Sequence, residues 1–173
     1  MSIRILVAYA SKYGSTMEIA RKVGDVLTTA GLKVDVVAAE KVTDLTPYDA
    51  VVLGSAVYAG TWRQEAVKFL EDYKASLTRI PVWLFSSGPM GEGDPAVLAQ
   101  GWHFPNAQLP IADHIHARDL ALFHGVLNMD KLTFVEKQIA KEFSSPVGDF
   151  RDWGAINNWA VSIAAALRPE VAE

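Results

Sequence analysis

Three short clusters of hydroxyl-bearing, small and aromatic residues carry the chemistry this sequence has to offer. The first is Ser11-Lys12-Tyr13-Gly14-Ser15-Thr16. It stands directly ahead of a helical pattern. Free backbone N–H groups and the dipole at a helix start favour an anion, and serine and threonine hydroxyls donate further bonds to it. The same residues also serve as an ordinary N-cap. Lys12 either assists an anion or stands in solvent. The second cluster is Ser55-Ala56-Val57-Tyr58-Ala59-Gly60-Thr61-Trp62. Tyr58 and Trp62 beside small residues can frame a flat ring, and Gly60 lets backbone approach it closely. Alternatively, both aromatics pack the start of the next helix. The third is Ser86-Ser87-Gly88-Pro89-Met90-Gly91-Glu92-Gly93-Asp94. Its glycines let backbone groups wrap a ligand, or make it a flexible turn. A phosphate site, an aromatic wall and a glycine-rich loop together suggest a phosphorylated planar cofactor.

Other chemistry is thinner. His114 and His116 share a side of an extended segment, with Asp113 and Asp119 nearby, which is an incomplete metal set or a pair of solvated loop residues. His124 follows a strand and either lies near a substrate or is a strand-end polar residue. Asp152 reads as the cap of the last helix, with Trp153 packing on the sheet, while Arg151 pairs with Asp149, stands in solvent or receives an acidic partner. The charged residues Lys131, Glu136, Lys137, Lys141 and Glu142 read as a solvated helix face. Neither GxxxxGK[ST] nor GxGxxG occurs, so nucleotide hydrolysis and Rossmann-type dinucleotide binding lose support. No GxSxG elbow is present. A phospho-accepting receiver site requires acidic residues where Ala10, Ser11 and Ser55 stand.

The elements that position these clusters alternate. Residues 3–9 form a short, nearly continuous apolar run, the pattern of a strand covered on both faces. Thr16 to Ala30 places Ile19, Val23, Val26, Leu27 and Ala30 on one helical face, with Gly31 at its end. Strands are expected at 32–38, 49–55, 81–85 and 119–123. Helices are expected at 64–77, with Val67, Leu70 and Leu77 inward, at 130–143, with Leu132, Val135, Ile139 and Phe143 inward, and at 153–167, with Ile156, Trp159, Ala160, Ile163 and Leu167 inward. Such alternation implies an α/β fold: a five-stranded parallel sheet in the order 2-1-3-4-5 with helices on both faces. Ligands of such sheets bind beyond the strands' carboxyl ends, where the order reverses. All three clusters fall there. One domain over 1–173 is expected, with a long connection at about 86–118 that is functional or mobile.

Composition narrows the function. The 173 residues are half apolar and 21% charged, enough for a core. A formal charge of −4 shows no basic excess for nucleic acid or an anionic membrane. The absence of cysteine excludes disulfides, thiolate metal sites and a cysteine nucleophile. The apolar start is too short for a signal peptide, and no stretch is long enough for a membrane span, so a cytoplasmic protein is expected.

The stretches YASKYGSTMEIA (9–20), VVLGSAVYAG (51–60), SSGPMG (86–91) and GDFRDWGAINNWA (148–160) make the chain resemble the flavodoxin-like family. Within it, the resemblance is to the group that includes the menaquinone-dependent protoporphyrinogen IX dehydrogenases. It implies FMN, with Ser11, Tyr13, Gly14, Ser15 and Thr16 at the phosphate. Val57, Tyr58, Ala59, Gly60 and Trp62 would flank the isoalloxazine. Ser86, Ser87, Gly88 and Pro89 would meet its ribityl and pyrimidine side. Tyr13 stands where common flavodoxins carry threonine. The third loop also lacks the aromatic that simple flavodoxins place over one ring face, so that face is open or covered by the long connection through Trp102 or His103. Two activities follow: oxidation or reduction of a planar substrate of the quinone or porphyrinogen class, or electron transfer to a redox partner protein. A family member that has lost FMN and serves as an interaction module is the third. A homodimer is the default assembly.

Overall fold

The computed structural model describes residues 2–168. Five parallel strands form its centre: β1 (Arg4–Ala10), β2 (Lys33–Ala38), β3 (Ala50–Tyr58), β5 (Val82–Ser87) and β6 (Leu120–Phe123), in the spatial order β2-β1-β3-β5-β6. Counting only parallel strands, this is the expected order 2-1-3-4-5. The extra strand β4 (Thr61–Trp62) pairs antiparallel with the end of β3. In β1, Leu6 and Ala8 face one layer while Ile5 and Val7 face the other, and all four are fully buried. That two-sided burial is why these strands are continuously apolar rather than alternating.

One layer is built by α1 (Ser15–Thr29) and α7 (Trp153–Leu167). Ile19, Val23 and Leu27 meet Ile156, Ala160 and Ile163 around Phe85 and Phe123. The other layer contains α2 (Gln64–Asp72), α3 (Lys74–Leu77), α4 (Pro95–Leu98) and α5 (Leu109–His114), with Phe69, Leu70, Phe104 and Ile115 against Leu6, Val51 and Leu53. The helix expected over 64–77 is therefore two helices, interrupted at Tyr73. The long connection before β6 is not structureless either, since α4, a single turn at Asn106–Gln108 and α5 lie within it.

The segment after β6 departs most from expectation. Short strands β7 (Val126–Leu127) and β8 (Gly148–Asp149) pair antiparallel, so the chain between them leaves the sheet and returns to the same place. Helix α6 (Phe134–Glu142) lies in this excursion, after a single turn at Met129–Lys131. None of its residues is buried. Val135, Ile139 and Phe143, expected inward, are 65%, 49% and 75% exposed, as Phe134 is at 76%. The periodicity was that of an amphipathic helix, but the β7–β8 closure holds it outside the core.

Candidate functional site

The first cluster links β1 to α1. Gly14, at φ +91°, makes the left-handed step from loop into helix, and Ser11 Oγ accepts its N–H at 3.0 Å. Among the described residues no side chain caps α1, so its first-turn N–H groups remain open to a ligand. Thr16 lies in that turn. Its hydroxyl is fully buried and has no hydrogen-bond partner among the described residues. A buried unpaired hydroxyl costs about 1–3 kcal/mol, which a bound ligand atom would recover. Tyr13 and Lys12 turn elsewhere. The Tyr13 hydroxyl donates to the Glu136 carboxylate on α6, and Lys12 Nζ reaches the same carboxylate at 3.1 Å. Tyr13 and Lys12, with the α6 cap at Thr133, hold the Glu136 carboxyl down at about 2, and Lys12 is pushed up in turn by Tyr13 and Glu136. Lys131 Nζ donates to the Tyr13 carbonyl at 3.3 Å. Glu136 and Lys131 are thus a strap across this loop, not the solvated face expected of them.

At the second cluster, β3 and β4 form a two-residue hairpin. Ala59 and Gly60 occupy its corner at φ +51° and +74°, the two positive values that a tight twisted turn requires. Thr61 Oγ1 donates to the Tyr58 carbonyl at 2.8 Å across it. Ala56 is buried, Val57 is half-buried, and Tyr58 is 40% exposed at the rim. Trp62 is not a rim residue. It is 4% exposed, its indole donates to Ser86 Oγ at 2.8 Å, and it meets Phe104 edge-on at 5.0 Å. Its alternation with Thr61 along β4 directs it into the core, where it props β3 against β5. The long connection does reach this corner: Trp102 Nε1 lies 3.7 Å from where a side chain on Gly60 would begin. His103 is exposed, with Nδ1 near the Gly101 carbonyl.

The third cluster continues β5. Ser86 and Ser87 are buried, and Ser87 Oγ has no partner among the described residues. Gly88 is held in a narrow slot. A Cβ there would stand 3.0 Å from Val57 Cβ, and a Cβ on Gly125 would stand 3.4 Å from Gly88 Cα. Gly88 N–H donates to the Phe123 carbonyl, and Gly125 N–H donates to the Pro89 carbonyl. His124, expected either near a substrate or as a strand-end polar residue, is buried beneath this loop.

The remaining candidates separate. His114 ends α5 and His116 follows in a left-handed turn, and among the described residues no three His, Asp or Glu side chains are grouped to hold a metal. Arg151 pairs with Asp149 at 2.6 Å, and also with Glu18 at 3.0 Å, while its Nη1 donates to the Ser15 carbonyl at 3.3 Å. Asp152 caps α7 through the Ala155 N–H. Trp153, expected on the sheet, is instead 38% exposed under the Arg151 guanidinium. Trp159 is the tryptophan that packs inward, on Phe85 and Phe123. Sequence reading took Glu136 for a residue of a solvated helix face. The Thr133-x-x-Glu136 capping box was visible, but not that Glu136 also reaches a loop 123 residues earlier in the chain.

The parallel sheet brings the three clusters together at the carboxyl ends of β1, β3 and β5, where the order reverses between β1 and β3. An uncapped helix start with one orphan hydroxyl, and a second orphan hydroxyl two strands away, fit a ligand with an anionic end and a polar body. These features define an α/β protein of the open-sheet, strand-end-binding class. The chain belongs to the flavodoxin-domain family, whose model matches residues 6–152. Membership implies a flavin. Its fold is similar to that of a flavodoxin from the domain Archaea (TM-score 0.65, 13% identity, 95% of this chain and 98% of that one). It also resembles a flavodoxin of Streptococcus pneumonia TIGR4 (TM-score 0.61, 18% identity, 95% and 99%). A third likeness is to rubredoxin oxygen:oxidoreductase from Desulfovibrio gigas (TM-score 0.61, 15% identity), where 95% of this chain covers 36% of the other. No curated protein matches the sequence. Among the described residues, no helix is long and apolar enough to cross a membrane.

Proposed function

We propose that this chain is an FMN-binding electron carrier that docks on a redox partner protein. The observation that carries the reading is the pair of buried hydroxyls without partners among the described residues, Thr16 Oγ1 and Ser87 Oγ, at two of the three strand ends. The first-turn N–H groups of α1, with Ser11, Ser15 and Thr16, would hold the phosphate. Ser86, Ser87, Gly88 and Pro89 would meet the ribityl and pyrimidine side, and the Tyr58-Ala59-Gly60 corner would border the ring. FMN supplies transfer of one or two electrons, and the protein supplies binding and orientation. The exposed Tyr58 keeps that border accessible to a partner.

A second reading is an oxidoreductase for a planar substrate of the quinone or porphyrinogen class, as in the protoporphyrinogen dehydrogenases. The apolar side chains of α6, exposed beside the phosphate loop, favour it. Absorbance and flavin identification on the purified protein test FMN. Bound FMN, or tight uptake of added FMN, supports both readings, and refusal of FMN removes both. Two separate one-electron steps on titration with reductant, with no turnover of quinones, support the carrier. Rapid reoxidation of the reduced protein by a quinone supports the enzyme.

A further inference from the structure

We propose that Arg151 is a positioning residue for the phosphate end of the site, fixing the first turn of α1 and with it the preference for a phosphorylated flavin over the same flavin without its phosphate. The inference rests on the FMN reading above. Arg151 stands between β8 and α7, and its side chain is only 9% exposed. Its partners come from two elements far apart in the chain. Nη2 and Nε donate to the two oxygens of the Asp149 carboxylate at 2.6 and 2.9 Å. Nη1 donates to the Glu18 carboxylate at 3.0 Å and to the Ser15 carbonyl at 3.3 Å, both in the first turn of α1. The guanidinium also lies over the Trp153 ring, 4.6 Å from its centre. A planar fork held on this many sides has little freedom to swing, so the turn bonded to it is held as well.

Ser15 opens the helix, and a carbonyl at that position is already engaged by the helix itself. The bond from Arg151 is therefore not needed to satisfy it. Its effect is on direction. The peptide is planar and trans, so holding the Ser15 carbonyl also orients the Thr16 N–H, which points the opposite way, toward the open start of the helix. Thr16 carries the fully buried hydroxyl that has no partner among the described residues. On the other side of Gly14, Lys131 donates to the Tyr13 carbonyl. Gly14, at φ +91°, is thus a permissive joint between two held carbonyls. Charge points the same way. Two carboxylates face one guanidinium, so the cluster brings no net positive charge to a phosphate. A cation beside a helix start also opposes the helix dipole. Arg151 acts through geometry, not as a counter-ion. A lysine ammonium is a single point donor and cannot bridge Asp149, Glu18 and Ser15 as the fork does.

The test measures dissociation constants for FMN and riboflavin by flavin fluorescence, on the full natural chain, Arg151→Lys and Arg151→Gln. Riboflavin has the same ring and ribityl chain without the phosphate, so it reads the ring side alone. In both variants the FMN constant is expected to rise about tenfold, the size of one charge-assisted hydrogen bond, while the riboflavin constant is unchanged. Arg151→Lys keeps the charge and carries the test by itself if Arg151→Gln fails to fold. Nitrogen-15 NMR of the flavin-free proteins is the second measurement. The Thr16 amide signal is expected to be displaced in Arg151→Lys, and that of Leu27, near the far end of the same helix, to stay in place. Full FMN affinity in Arg151→Lys, or an unmoved Thr16 signal, overturns the positioning role. Equal weakening of FMN and riboflavin also overturns it, since the arginine would then only support the fold. A natural chain that refuses FMN removes the FMN reading and this role with it, whereas a natural chain that takes up FMN no better than its variants removes this role alone.

Discussion

Thr16 and Ser87 separate binding from folding at the scale of single residues. Each hydroxyl is buried with no partner among the described residues, so its removal costs the flavin-free protein little. Thr16→Val is expected to leave unfolding free energy within about 0.5 kcal/mol, or to raise it, while weakening FMN binding about tenfold. Denaturant titration and flavin fluorescence on the same preparation measure the two. Equal loss of both would make Thr16 a structural residue. Glu136 makes the opposite prediction, since its bonds are all made. Its carboxyl lies near 2 against an ordinary 4.5, depressed in the folded state by Tyr13 first and Lys12 after it. A depressed carboxyl contributes stability above its unfolded value and loses it as pH falls from about 4.5 toward 2. Glu136→Gln is expected to cost about 1 kcal/mol at pH 7, discounted for solvent at a partly exposed pair, and almost nothing near pH 2. Denaturant unfolding curves at both pH values give the sign. The Thr133-x-x-Glu136 spacing was legible in the sequence, but the reach to Tyr13 was not, because the strap joins residues that only folding brings together.

At the scale of elements, the β3–β4 corner and the β3–β5 seam show what local sequence could and could not convey. Ala59 takes a positive φ normally left to glycine or asparagine. Ala59→Gly is expected to stabilise the protein by about 0.5 kcal/mol, the relief of strain exceeding the added entropy of the unfolded chain. A lowered melting temperature would show that the turn carries no strain. Gly54 pairs with Phe85 in register, and a Cβ on it would overlap the Phe85 ring at 1.9 Å. Gly54→Ala is expected to destabilise by about 3 kcal/mol, because a central strand cannot move away from a packed aromatic. Circular dichroism melting resolves an effect of that size. Helix α6 marks the limit of periodicity. The pattern Val135, Ile139, Phe143 correctly announces an amphipathic helix, yet pattern alone cannot say which way its apolar face turns. Trp153 shows the same limit, expected on the sheet and found exposed, whereas Trp62, for which ring wall and packing were both open, packs in the core.

On the scale of the molecule, both faces of the sheet are covered and the ligand edge lies at one end of it. On the proposed function, FMN at a hundredfold excess over its dissociation constant is expected to raise the stability of the folded chain by about 2.7 kcal/mol. A melting temperature unchanged by FMN would remove the cofactor. By itself, the sequence determined the strand order and placed the three clusters at strand ends. Buried parallel strands, helix faces and glycine breaks are local signals, and a parallel βαβ chain has few ways to pack. It also determined that Ser11 to Thr16 open a helix, since that depends only on residues next to one another. Tertiary structure alone decided which hydroxyls remain unpaired, that Trp62 supports the site from the core while Trp102 reaches it, and that α6 hangs outside the sheet and straps the first loop. Each of these depends on residues far apart in the chain. Their meeting is set by the β7–β8 closure and by the register of β3 on β5, neither of which leaves a mark in local composition.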